Sequence, residues 1–315
     1  MQRWWQRATA SAVMCGIIAS ALCLLAQPAL SSIDMPDTLV IGKVSHNPKK
    51  HYHYLRPIAR YAASKLNDLG IDKAKVRMAR TKQQLAQWLR DGYVDWVTET
   101  AYATAYFMDV AAAEPIAKKW KKGADVYHTV CFARRDSGIG QISDLVGKRI
   151  ALEDPASTSA FYQPALMIRD AGFALAYLTS VRQKAPAGTV GFIFAGEEIT
   201  ISTMVHKGLV AAGCFNDHDW RKGDHMPGNM RKDLQIFVRG ADQVRAIETV
   251  RGGLPDKVRE RLQTILLNAE RDPKAAAALR AYQATTRFEA IEAQDIDALR
   301  ALRLRGIELE RQVGF

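Results

Sequence analysis

The chain has 315 residues and a formal charge of +11, a basic balance that suits capture of small anions but also a membrane surface or nucleic acid. It contains no aromatic-and-basic repeat, zinc-ligand spacing or recognition-helix pattern, which speaks against nucleic acid. No internal repeat or low-complexity tract is present.

At the N-terminus, Arg3 and Arg7 precede a mostly apolar run from Ala8 to Leu25, and Gln27-Pro28-Ala29-Leu30-Ser31 adds small residues and a breaker. Residues 1–31 read as a secretory signal peptide. An uncleaved anchor is the alternative, because the run is almost long enough to span a bilayer. Loss of the segment removes two arginines and no acid, leaving a formal charge of +9. No later run approaches that apolar length, so the body of about 280 residues is expected to be soluble and to form one large or two small domains.

Thr38-Leu-Val-Ile-Gly42 has strand character and leads into a polar loop, Ser45 to Lys50. From Tyr54 to Leu69 the apolar residues Leu55, Ile58, Ala62, Leu66 and Leu69 fall at helical spacing, and Gly70 ends the pattern. Lys75 to Ala79 reads as a second strand. Thr81-x-x-Gln84 reads as a capping box opening a helix with Leu85, Trp88 and Leu89, which Gly92 stops. Val94 to Thr98 is a third strand, and the Lys118-Lys119-Trp120-Lys121-Lys122 run reads as a solvated face. Strand character returns at 127–134, 149–153, 189–195 and 209–215, and from Leu254 onward the pattern is helical. This alternation predicts an α/β protein with parallel sheets covered by helices. Beyond the signal only Cys131 and Cys214 remain, both in apolar strand-like runs. Buried free thiols are the expectation, with a disulfide as the alternative that an oxidising compartment permits.

Between the strand ending at Leu152 and an amphipathic run through Leu166, Met167 and Ile168 lies Asp154-Pro155-Ala156-Ser157-Thr158-Ser159. The order reads as strand, tight loop and helix, with three hydroxyls at the helix N-terminus. Free backbone amides and the macrodipole make such a terminus a receptor for a compact oxyanion, and Pro164 falls within the first turn, where its missing N–H costs little. A plain Ser/Thr N-cap with nothing bound is the competing reading. His46, His51 and His53 share one loop, but no Cys, Asp or Glu completes a metal set there. No nucleophile elbow, P-loop or dinucleotide fingerprint appears, so neither an enzyme nor a cofactor is expected.

Several landmarks together carry a family resemblance. They are Leu39-Val-Ile-Gly-Lys43, Asp91-Gly-Tyr-Val-Asp-Trp96, Asp144-Leu-Val-Gly-Lys-Arg-Ile-Ala151 running into Asp154-Pro155-x-Ser-Thr-Ser159, Val205 to Gly213, and Gly253-Leu-Pro-Asp-Lys257. In this order they resemble the phosphate/phosphite/phosphonate-binding proteins of ABC importers. The resemblance implies a two-lobed type II periplasmic-binding-protein fold, with lobe one at residues 36–122 plus 228–315 and lobe two at 123–227. It implies a periplasmic monomer that takes a small oxyanion to an ABC permease in the inner membrane. A sensor of the same fold, coupled to a membrane receptor or kinase, is the alternative.

The same resemblance puts the phosphorus oxygens on Ser157, Thr158 and Ser159, and draws lobe-one contacts from Tyr52, Tyr54 and the run Thr98-Glu99-Thr100-Ala101-Tyr102. The family's usual Gly-Pro near Thr100 is replaced here, which places Glu99 at the mouth of the cleft. Glu197 and Glu198 lie where phosphonate binders commonly carry a carboxylate for an amino group, although the Ser-x-His pattern before it is missing. A carboxylate beside an oxyanion site disfavours a plain dianion and favours a zwitterion.

Overall fold

A computed structural model describes residues 37–45 and 47–314; the signal-peptide reading and His46 lie outside them. The chain opens with β1 (Thr38–Val44), α1 (Pro48–Ala63), β2 (Lys73–Ala79), α2 (Lys82–Arg90), β3 (Trp96–Glu99) and α3 (Ala101–Ala111). Two long strands follow, β4 (Glu114–Lys121) and β5 (Val126–Arg134), then β6 (Arg149–Leu152), a π-helical turn (Thr158–Tyr162) and α4 (Gln163–Asp170). Next come β7 (Ala174–Tyr177), β8 (Thr189–Phe194), α5 (Glu198–His206), β9 (Ala212–Asn216), α6 (Asp217–Arg221) and α7 (Gly228–Asp233). The chain closes with β10 (Leu234–Val244), β11 (Ile247–Val250), α8 (Asp256–Leu267), α9 (Ala276–Ala281), β12 (Thr285–Glu289) and α10 (Ala293–Val313).

The strands form two six-stranded sheets, ordered β12-β4-β11-β3-β1-β2 and β10-β5-β9-β6-β8-β7. Both are mixed rather than parallel. β1 runs parallel to β2 and β3, but β11 is antiparallel to β3 and β4, and β5 is antiparallel to β9 and β10. Short crossings at 122–125 and 245–246 join the sheets, and both returning strands enter their sheet antiparallel. β10 pairs along the length of β5, so residues 234–244 belong with the second sheet.

Burial follows from the sequence of each strand. Leu39 and Ile41 in β1, Trp96 and Val97 in β3, and Ile150 and Leu152 in β6 are fully buried, as central strands with helices on both faces require. At Gly213 in β9 a Cβ would lie 2.3 Å from the Cγ2 of Ile201, so the missing side chain is what lets α5 sit directly on the sheet. Cys131 and Cys214 face each other in register across β5 and β9 and form a disulfide. This replaces the free thiols expected from the sequence, which holds no sign that these strands are neighbours.

Candidate functional site

A cavity of about 640 Å³ opens between the two sheets. Its first-sheet wall comes from the ends of β1, β3 and β4 and the turn after α9, and its second-sheet wall from the loop after β6, the start of α5, and α6. The two walls carry opposite charge.

On the first wall, alternation along β4 sends Lys119 and Lys121 to the cavity side, while Lys118 turns away to Glu289 and Asp295, 3.0 Å from each. The Lys118–Lys122 run is therefore not a solvated face: Lys119 is 1 % exposed. Its ammonium donates to Thr98 Oγ1 at 2.8 Å, lies 3.6 Å from Glu248 and sits 3.8 Å from the centre of the Tyr282 ring. Glu248, wholly buried, accepts from Trp96 Nε1 (2.7 Å), Thr98 Oγ1 (3.0 Å) and the Tyr282 hydroxyl (2.9 Å). Burial brings Lys119 down to about 8 against the opposing pull of Glu248. Burial likewise raises Glu248, although Lys119 and its hydrogen bonds hold it back. Arg245, 7 % exposed in the second crossing, donates to the Lys121 carbonyl at 3.2 Å.

The second wall is acidic. Glu153 is raised well above the usual glutamate range by burial and then by the charges of Glu198 and Asp154. Glu198 is raised by burial and by Asp219. Burial alone would also raise Asp219, but His225 and Lys222 outweigh it and hold that carboxyl far below its usual range. Lys222 Nζ is 2.8 Å from Asp219, and His225 Nδ1 is 3.0 Å from it, close enough for an ion pair but not aligned as a hydrogen bond. His225 is raised in turn: burial lowers it, and Asp219 and Glu198 more than compensate. Ligand atoms of Glu198, Asp219 and His225 lie within 4.8 Å of one another, a spacing that could hold a cation. The Lys222 ammonium already on Asp219 opposes a second positive ion there.

Tyr54, Glu99, Thr100, Ser157, Glu197 and Glu198 line the cavity. Glu99 is already engaged, accepting from the Val44 amide at 2.8 Å and pairing with Lys43 at 3.0 Å. Ser157 caps the π-helical turn by accepting from the Ala160 amide at 3.2 Å. The structure does not bring the other four to the cavity. Thr158 is fully buried, accepting from the Tyr102 amide (2.8 Å) and donating to Thr100 Oγ1 (2.9 Å). Ser159 is buried beneath it, and its carbonyl accepts from Thr129 Oγ1. Tyr102 is buried against Tyr162 and takes a hydrogen bond from Arg303. Tyr52 is 41 % exposed on α1 beside Arg56. Sequence reasoning missed Lys119, Lys121, Arg245, Glu153, Asp219 and His225. A signal did exist for the lysines: Pro115-Ile-Ala before them makes the run a strand with alternating faces.

Residues 44–296 match the family described as ABC transporter, phosphonate, periplasmic substrate-binding protein. The chain belongs to this family. XAC2383 from Xanthomonas citri, in a structure bound to chloride ion, is 33 % identical with a TM-score of 0.85, covering 88 % of this chain and 100 % of that one. The same protein bound to ATP gives 32 % identity and a TM-score of 0.84, over 88 % of this chain and 99 % of that one. PhnD1 from Prochlorococcus marinus, in complex with methylphosphonate, shares 14 % identity and the fold, with a TM-score of 0.68 over 88 % of this chain and 100 % of that one. No curated protein sequence matches. The two mixed sheets are those of a type II periplasmic binding protein, and the phosphonate-binding family is one of binding proteins, not enzymes. Among the described residues no helix is long and apolar enough to cross a membrane.

Proposed function

We propose that this protein captures a phosphorus oxyanion bearing an amino group, an aminoalkylphosphonate or a compound of like charge, and delivers it to an ABC permease in the inner membrane. The observation that carries the reading is the separation of charge across the cavity. Lys121 and Arg280 on one wall are paired with no carboxylate among the described residues, and Glu153 on the other with no cation. A ligand with one anionic and one cationic end relieves both walls at once; a plain dianion relieves one and is repelled by the other. Membership of the phosphonate family supports the oxyanion, and the position of Glu198, in the region read from the sequence as amine-binding, supports the ammonium. We place the lobes at 38–121 with 247–314 and at 126–244, with the ligand between them and the crossings as hinge. Residues 1–31 serve as the export signal to the periplasm.

Thermal shift and calorimetric titration test this with 2-aminoethylphosphonate, ethylphosphonate, inorganic phosphate, phosphite and ATP, the last because the Xanthomonas citri relative is described bound to it. A ligand at one hundred times its Kd raises stability by about 2.7 kcal/mol. The expected order has 2-aminoethylphosphonate tightest, and Glu198→Gln removes its advantage over ethylphosphonate. Binding of none of these compounds, or tightest binding of phosphate, would overturn the proposal.

A further inference from the structure

We infer that two copies of this chain pair through the outer face of α10, antiparallel about a two-fold axis at Leu304, in place of the monomer that the family resemblance implied. α10 has two faces. Leu299, Leu302, Gly306 and Leu309 are buried, where the helix lies on α3, α4 and β7. On the opposite side Asp297, Arg300, Leu304, Glu308 and Arg311 are exposed. At about 100° per residue all five fall within about 40° of Leu304, so they form one narrow stripe along the helix. Leu304 is 69 % exposed, more than any other large apolar residue described, and Ala301 and Ile307 flank it on either side. No residue of the stripe lines the cavity, so a partner seated there leaves the ligand site open.

One exposed leucine is ordinary on a protein surface; the charges around it decide the partner. From N to C the stripe is negative at Asp297, positive at Arg300, apolar at Leu304, negative at Glu308 and positive at Arg311. Asp297 and Arg311 each lie seven residues from Leu304, and Arg300 and Glu308 each lie four. A two-fold contact is self-complementary: residue i meets j and j meets i. Antiparallel pairing centred on Leu304 therefore brings Asp297 within reach of the partner subunit's Arg311, and Arg300 within reach of the partner subunit's Glu308. The two leucines meet at the axis. A parallel pairing would set each charge against its own kind, which disfavours it. Within one copy Arg300 pairs with Asp297 and Glu308 with Arg169, each at 3.3 Å. Surface ion pairs of this sort contribute little, so these groups can exchange partners. One helix pair makes a small interface, which suits a dimer of about micromolar strength.

Sedimentation equilibrium of the exported protein, without added ligand, tests the pairing. The wild type should pass from monomer to dimer between about 1 µM and 1 mM. Leu304→Glu sets two carboxylates together at the axis and should raise the dimer Kd about tenfold or more. Leu304 is exposed in one copy, so this variant should keep the wild-type Tm at concentrations where both proteins are monomeric. Asp297→Arg places like charges together twice over and should weaken the dimer about fivefold. Adding Arg311→Asp to it reverses both members of the pair and should restore most of the loss, which misfolding would not do. A wild type that stays monomeric throughout, a dimer indifferent to Leu304→Glu, or a double variant no better than Asp297→Arg overturns the inference. Ligand capture is untouched by any of these outcomes.

Discussion

Lys119 and Glu248 form a buried ion pair whose two members depend on each other. Removing one partner of such a pair strands the other in low dielectric, at a cost of about 3–5 kcal/mol. Lys119→Met is therefore expected to lower stability by about that amount near neutral pH, and Lys119→Met with Glu248→Gln to regain part of it. The pH dependence follows from Glu248, whose folded value lies above its unfolded one. A raised carboxyl contributes most below its unfolded value and loses that contribution as pH rises through the folded one. Without Lys119 the folded value rises further, so the deficit against wild type should grow between about pH 5 and pH 7. Urea unfolding at both ends of that window is the measurement; a deficit independent of pH would dissociate Glu248 from the effect. Neither member of this pair was identified from the sequence, and nothing local announces their meeting. Lys119 looked like part of a charged surface because its neighbours are charged too, and only the pairing of β4 with β11 carries it inside.

At the scale of elements, α10 explains why Tyr102 failed to reach the cavity. This helix lies against α3 and α4. Arg303 on it donates to the Tyr102 hydroxyl at 2.6 Å and pairs with Glu310 at 2.9 Å, while Arg169 on α4 donates to Glu308 at 3.3 Å. Gly306 makes the approach possible, since a Cβ there would fall 2.0 Å from the Tyr102 ring. Alanine in a helix is ordinarily about 1 kcal/mol better than glycine, but overpacking a fixed neighbour costs about 1–3 kcal/mol. The ring is pinned by Arg303 and by stacking on Tyr162, so overpacking should win. Gly306→Ala is expected to lower Tm with little change in ligand affinity, and a raised Tm would show that Tyr102 can move aside. The sequence identified α2 by its Thr81 cap, which does accept from the Gln84 amide. It put the start of α1 too late, because Asn47 and Pro48 open that helix ahead of its apolar face. β4 and β12 escaped notice because they mix apolar with charged residues, which in isolation resembles surface. Partnerships between distant strands, including the one the disulfide clamps, have no local signature at all.

For the whole molecule, the sequence supplied the total charge but not its partition between walls, because that depends on which loops the two sheets bring face to face. The family landmarks were enough to imply the two-lobed fold, since they mark loops at strand ends in a fixed order. The contact made by Thr158 belongs to this scale, because its hydroxyl on the second sheet's side accepts from the Tyr102 amide and donates to Thr100 on the first. Thr158→Val removes both bonds and leaves a buried amide unpaired, a cost of about 1–3 kcal/mol to whichever arrangement holds the lobes together. If the closed form is the one that binds, apparent affinity scales with its population, so the loss should be the same factor for 2-aminoethylphosphonate, ethylphosphonate and phosphate. A hydroxyl touching the phosphorus group directly would instead weaken ligands unequally, according to the charge and size of that group. Hydrogen exchange at the Tyr102 amide supplies the structural readout: protection there should fall in Thr158→Val without ligand. Unchanged protection, or a loss confined to one ligand, would return Thr158 to the binding site and remove it from the contact between lobes.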